Sequence, residues 1–305
     1  MAVARVVRLA MAQMGPNDET QPRSSIVNRM VSLLRKAIAE RAEVVVFPEL
    51  ALTTFFPKRI RSDYEQFFDS AMPNPTVAPL FDLARRARVA FCFGYAESVA
   101  NGNKYNTMIY VDERGDITHR YRKLHLPGLP DVAPAGQVRV YEPHYFNHGD
   151  TDLRPVQTSH GSLGIAICQD RRYPEVYRAL GLAGAELIVI GYNTPASPLA
   201  ISQNELCVRA GAYENSLFVV AVAKAGNEDG VHLIGGSCAV DPHGQVVART
   251  AMEGDEVAVV QLDFSHIASA RERWNFYGRR HPDRYGILTE PVNCFADPLQ
   301  SRVRG

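Results

Sequence analysis

Three residues of this chain stand where reactive groups are useful. Cys168 closes the apolar run "LGIAI" and is followed at once by Gln169, Asp170 and the pair Arg171–Arg172. A free thiol titrates near ~8.5, so little of it is thiolate at neutral pH. Neighbouring cations and a helix opening a few residues on, at Pro174, would favour the ionised form. Cys92, Cys207, Cys238 and Cys294 lack such a setting. Glu49 ends "VVVFPE" between apolar runs. A carboxylate there is costly to bury without a partner, and burial makes it a better base near neutral pH. Lys123 sits in "YRKLHLPG", crowded by Arg120, Arg122 and His125. Together with a backbone N–H, its ammonium could hold a developing oxyanion. A thiol, a base and an oxyanion donor are the parts of covalent acyl transfer. Each also has a plainer reading. A cysteine in an apolar run is often a small core residue, Glu49 an exposed strand-end acid, Lys123 part of a solvated basic strand, and either arginine a partner for Asp170 or Glu175.

The elements that must position these residues alternate. Runs at 6–13, 43–49, 89–97, 105–112, 163–170, 185–193, 217–226, 236–241 and 257–263 are rich in Val, Ile, Phe and Tyr and read as strands. Several are apolar on both faces, as strands covered by other layers should be. Helical spacing appears over 24–41, where Ile26, Met30, Leu33, Leu34 and Ile38 share a face, and over 77–88, 174–184, 199–214 and 265–275. "DERGD" (112–116) and "DPHGQ" (241–245) predict hairpins. The pattern is that of an α/β sandwich with a mixed sheet, read as one domain over 1–305 without linker or repeat. The stretch 126–152 is the longest irregular one, and the Arg-rich tail 277–305 is expected to pack on a partner subunit.

Composition narrows the function. Lys plus Arg equals Asp plus Glu at 33 each, so charge argues for neither nucleic acid nor an anionic membrane as partner. No apolar run reaches the length of a membrane span, and the N-terminus lacks a signal-peptide core, which leaves a cytoplasmic location as the expectation. Five cysteines without a Cys-x-x-Cys pair, and nine histidines without His-x-His or His-Glu-x-x-His, give no sign of a redox motif or metal site. Neither cofactor nor metal is expected.

The segments "VFPEL", "YRKLHLPG" and "GIAICQDRRYPE", in this order and spaced by about 75 and about 45 residues, resemble the signature segments of the nitrilase (carbon–nitrogen hydrolase) superfamily. The likeness runs over nearly the whole chain. Within the superfamily, "FPELALTTFFP", "DRRYPE" and "GYNTP" are most similar to N-carbamoyl-D-amino-acid amidohydrolases. The resemblance implies a four-layer α-β-β-α sandwich with two mixed sheets, assembled as a homodimer or homotetramer. It implies Glu49 as general base, Lys123 as oxyanion stabiliser, Cys168 as nucleophile and Glu142 as the glutamate that positions the lysine. It also implies Arg171 and Arg172 as a pair with members holding a substrate carboxylate, and Asn193 as pocket lining. The expected reaction is hydrolysis of N-carbamoyl-D-amino acids to D-amino acid, carbon dioxide and ammonia through a carbamoyl thioester. The alternative is another carbamoyl or amide substrate (a β-ureido acid, a carbamoyl amine or an aliphatic amide) with the same chemistry. Two departures bear on substrate: Gln169 stands where these enzymes have Asn, and Val140 where they have a pocket histidine, unless His144 substitutes.

Overall fold

The computed structural model describes residues 5–128 and 140–290. Its first sheet is built from β1 (Val6–Gln13), β2 (Val44–Val46), β3 (Phe68–Asp69), β4 (Ala90–Ser98), β5 (Lys104–Val111), β6 (Ile117–Arg122) and β15 (Glu256–Asp263). The order is β15-β1-β2-β4-β5-β6, with β3 beside β4. The second runs β14-β13-β10-β9-β8-β7, from β7 (Val156–Thr158), β8 (Gly161–Ile167), β9 (Leu187–Tyr192), β10 (Phe218–Ala223), β13 (Cys238–Val240) and β14 (Val246–Arg249). A two-stranded ribbon, β11 (Ala225–Glu228) and β12 (Val231–Ile234), stands apart. Both large sheets mix parallel and antiparallel pairs: β1–β2 and β9–β10 are parallel, β1–β15 and β10–β13 antiparallel.

Alternation along the strands explains the layering. Leu9, Met11, Val44, Val46, Cys92, Met108 and Tyr110 face the second sheet's Ile165, Ile167, Val189 and Val220 in one core. Their neighbours Ala10, Ala12, Val45, Phe91, Phe93, Ile109 and Val111 face the other way. They meet Ile26, Met30, Leu33 and Leu34 of α1 (Arg23–Ala39) and Leu80, Phe81 and Ala84 of α2 (Ala78–Ala87). A strand apolar on both faces must be covered twice, and the helices supply the outer cover. On the far side, α4 (Pro174–Leu182) and α5 (Ala200–Asn215) cover the second sheet with Val176, Tyr177, Leu180, Val208 and Ala212. The result is the expected four-layer α-β-β-α sandwich. Two further helices are α3 (Glu142–Tyr145) and α6 (Ser265–Trp274).

The hairpins form as read. Asp112 Oδ1 accepts from the N–H groups of Arg114 and Asp116 (both 2.9 Å), and Asp241 Oδ1 from those of His243 (2.9 Å) and Gln245 (3.0 Å). An aspartate folding its carboxylate onto its own turn is why these stretches bend. The strand read over 163–170 ends earlier, at Ile167, and a 3-10 turn, Cys168–Arg172, leads from it toward α4. The two-residue β3, the three-residue β7 and β12 had no reading in sequence, and the single strand read over 217–226 is divided between β10 and the start of β11. Part of the 126–152 stretch (129–139) and the end of the tail (291–305) lie outside the described residues. The part of the tail within them is held by Tyr277, whose hydroxyl donates to the Asn215 carbonyl at 2.7 Å. Among the described residues no helix is long and apolar enough to cross a membrane.

Candidate active site

Four strand ends converge. Glu49 follows β2, Lys123 follows β6, Cys168 follows β8 and Asn193 follows β9. Ligand sites in α/β sheets commonly form beyond the carboxyl ends of strands, and here the two sheets bring theirs together.

Glu49 is threaded between them. A Cβ added at Gly94 of β4 would lie 2.7 Å from Glu49 Cα, and one at Gly191 of β9 would lie 2.6 Å from Glu49 N. Only a residue without a side chain permits that approach from either sheet. The next residue, Leu50, takes a left-handed φ of 45°, which turns the chain away. The carboxylate, fully buried, is then held by fixed donors. Asn106 Nδ2 and Lys123 Nζ each reach Oε1 at 2.7 Å, and Asn193 N–H reaches Oε2 at 2.9 Å. A carboxylate oxygen can accept twice, so Oε2 keeps capacity for one more proton donor.

Lys123 also donates to Glu142 Oε1 at 2.7 Å. Two of its three N–H donors are thus spent and the third is available to a ligand. Burial works to lower its pKa, but the carboxylates of Glu142 and Glu49 outweigh that and hold it above the ordinary lysine value. Burial pushes the Glu142 carboxyl up to about 8, Lys123 opposing and Glu49 adding to the rise. Its Oε2 is buried and unpartnered among the described residues.

Cys168 sits at the elbow with φ 45°, a conformation rare for a residue with a side chain. Burial raises its pKa and Glu49 adds to this, while Lys123 and Arg171 pull it down. The thiol is therefore protonated at rest, and it donates to the Asn193 carbonyl at 3.5 Å. The cysteine does not sit directly at the start of an α-helix, because the 3-10 turn intervenes.

The two arginines part company. Arg171 is buried, with Nε on Asn204 Oδ1 (2.7 Å), Nη1 on the Cys168 carbonyl (2.6 Å) and 3.6 Å from its sulfur, and Nη2 on Thr194 Oγ1 (2.7 Å). Its guanidinium also lies over the Tyr192 ring at 4.9 Å. With this many donors engaged it braces the elbow. Arg172 is exposed, lines the cavity beside Cys168 and has no ion pair or hydrogen bond among the described residues. Neither arginine pairs with Asp170 or Glu175. Asp170 instead accepts from Tyr121, His125 and Ile167.

The cavity holds about 190 Å³ and is walled by Phe55, Pro127, Val140, Gln169, Asn193 and Arg172, with Cys168 and Glu142 at its base. Gln169 lines it directly. Val140 does too, whereas His144 is exposed on α3 with its ring against Tyr64 and Tyr145, so it does not take the pocket-histidine position. Among the described residues no group of three or more His, Cys, Asp or Glu side chains forms a metal-binding set. Sequence reading missed Asn106, Thr194 and Asn204. Asn106 had a signal, as a polar residue inside the apolar run "YNTMIYV" that needs a buried partner.

Known proteins share both the sequence and the fold that build this site. A family model described as carbon-nitrogen hydrolase matches residues 8–272. An N-carbamoylputrescine amidase of Solanum lycopersicum is 30% identical over 300 residues, covering 93% of this chain and 95% of that protein. A deaminated glutathione amidase of Mus musculus is 33% identical over 196 residues, covering 63% of this chain and 58% of that protein. The crystal structure of a carbon-nitrogen hydrolase from Helicobacter pylori G27 superposes with a TM-score of 0.84 at 24% identity, covering 94% of this chain and 100% of that one, and speaks to the fold alone.

Proposed function

This chain belongs to the carbon-nitrogen hydrolase family, and from that premise we propose that it hydrolyses an N-carbamoyl or linear-amide substrate bearing a carboxylate, through an acyl group carried on Cys168. The observation that carries the carboxylate is Arg172, a cavity-lining guanidinium without a partner among the described residues. A forked donor of this kind suits a carboxylate. Arg171, expected to share that task, is committed to the elbow, so the role falls to Arg172 alone.

The steps follow from the donors. Glu49 Oε2 takes the proton from the Cys168 thiol as sulfur attacks the carbonyl carbon. The tetrahedral oxyanion is held by the free N–H of Lys123 and the backbone N–H beside Cys168; one such donor supplies about 3 kcal/mol. Glu49 gives its proton to the leaving nitrogen, the C–N bond breaks, and an acyl thioester remains. Water, deprotonated by Glu49, attacks the thioester; a carbamoyl group then leaves as carbamate, which decays to carbon dioxide and ammonia. Glu142 Oε1 and Glu49 Oε1 together fix Lys123 between them. Asn193 lines the cavity, and its side chain is held by the bond from Nδ2 to the Glu49 carbonyl.

N-carbamoyl-D-amino acids, the substrates implied by the motif likeness, are one member of this class. A second reading, a carbamoyl amine as substrate, is favoured by the 30% identity to an N-carbamoylputrescine amidase. Ammonia release from N-carbamoyl D- and L-amino acids, β-ureidopropionate, N-carbamoylputrescine and aliphatic amides separates the two. Preference for the uncharged or cationic compounds would refute the carboxylate assignment. The homodimer or homotetramer stays a proposal, supported by exposed Leu182, Leu199 and Leu206 around α4 and α5; light scattering tests it.

A further inference from the structure

We infer that Asp170 is a positioning residue that sets the spacing between Lys123 and Cys168. The inference rests on the roles proposed above for those two residues. Asp170 is fully buried, and its carboxylate meets four donors. Oδ2 accepts from the Ile167 N–H (3.0 Å) and the Tyr121 hydroxyl (2.9 Å). Oδ1 accepts from the His125 N–H (3.0 Å) and lies 2.8 Å from His125 Nδ1. Four donors match the four lone-pair sites of a carboxylate.

The identity of the donors gives the arrangement its meaning. Ile167 immediately precedes Cys168. Tyr121 and His125 stand two residues before and two after Lys123. One carboxylate therefore grips the lysine segment on both sides and the nucleophile elbow at its root. The link crosses between sheets: β6 ends the first sheet, β8 lies inside the second, and among the described residues no strand pairing joins them. Backbone ladders alone leave the distance between Lys123 and Cys168 unspecified, whereas Asp170 specifies it. A second contact supports the same joint, since the His125 ring stacks on Tyr173, just past the elbow, with centroids 3.6 Å apart and planes 12° from parallel. Nothing in this arrangement requires Asp170 to touch substrate.

The test compares Asp170→Asn and Tyr121→Phe with the unaltered protein. An amide at 170 turns an NH2 toward backbone N–H groups that cannot accept, while Tyr121→Phe removes one donor and leaves the charge. Three quantities are read per titrated Cys168 thiol: kcat, KM, and the rate of alkylation by iodoacetamide. The expected result is a kcat loss of about a hundredfold for Asp170→Asn and about tenfold for Tyr121→Phe, with KM within about twofold, because small misplacements of catalytic groups cost rate rather than binding. Alkylation in Tyr121→Phe should stay within about twofold of the unaltered protein, since the Ile167 bond to the elbow survives. Lowered thermal stability with unchanged kcat per thiol in Tyr121→Phe would overturn the inference, and that variant decides the matter if Asp170→Asn does not fold. If alkylation of the unaltered protein at Cys168 left turnover intact, the triad reading itself would fall and the inference with it.

Discussion

Asn193 holds Glu49 twice: its N–H donates to Glu49 Oε2 at 2.9 Å, and its Nδ2 donates to the Glu49 carbonyl at 2.9 Å. The same residue's carbonyl accepts from Cys168 Sγ. Base and nucleophile are thus referenced to one residue at the end of β9. Asn193→Ala removes the side-chain bond and leaves a buried carbonyl behind Glu49 unsatisfied. We expect kcat to fall by about tenfold, with a stability loss of about 1–3 kcal/mol, read by steady-state kinetics and urea denaturation.

The glycine that admits Glu49 from the second sheet should tolerate nothing larger. Gly191→Ala places a methyl group 2.6 Å from Glu49 N. Overpacking of this kind costs about 1–3 kcal/mol, and here relief requires moving Glu49. Activity should therefore fall further than the melting temperature suggests, whereas wild-type kcat in the variant would contradict the close approach.

Arg171 and Arg172, adjacent in sequence, should give opposite phenotypes. Arg172→Ala should raise KM for carboxylated substrates while stability changes by no more than about 0.5 kcal/mol, as for exposed positions. Arg171→Ala should unfold the elbow, lowering stability by about 3 kcal/mol or more, because it strips a buried network of its central donor. Comparison of KM and denaturation midpoints for the two variants decides it.

Glu142 makes stability depend on pH in a defined direction. Its carboxyl titrates near 4.5 when unperturbed and is pushed up to about 8 by burial in the fold. Between those values the folded state binds more protons than the unfolded one, so this group's contribution to stability falls as pH rises from about 4.5 to about 8. Lys123, held above its ordinary value, keeps its proton throughout that window and adds no slope. The slope from Glu142 is bounded by about 1.4 kcal/mol per pH unit. Denaturation of Glu142→Gln across pH 5–8 should show the variant gaining on the unaltered protein as pH rises; parallel curves would refute the shift.

Much of this was legible in the residues. Strands such as "VAFCFGYAE" carry apolar side chains on both faces, which calls for a cover on each side; the count of four layers was implied by the family resemblance and not by the pattern. Glu49 and Cys168 each stood where an apolar run broke off, Lys123 stood in a basic segment, and all three follow strand ends that meet. The features that stayed hidden depended on handedness and pairing. The 3-10 turn after Cys168 sends Arg171 inward and Arg172 outward, and nothing in "DRRYPE" distinguishes them. Asp170 could equally have neutralised an arginine; only the packing of β6 against the elbow hands it to Tyr121 and His125. Asn106 acts across a gap of 57 residues, invisible to any local pattern. The ribbon was not read as such because β11, "AGNE", carries no apolar alternation and β12, "VHLI", is only four residues long.

The proposed chemistry stands on Cys168 carrying the acyl group. The direct measurement is acid quenching during turnover of an N-carbamoyl substrate, followed by peptide mapping by mass spectrometry. A carbamoyl adduct on Cys168 is expected in the unaltered protein, and neither adduct nor turnover in Cys168→Ala. An adduct on another residue, or turnover above background in Cys168→Ala, would contradict it.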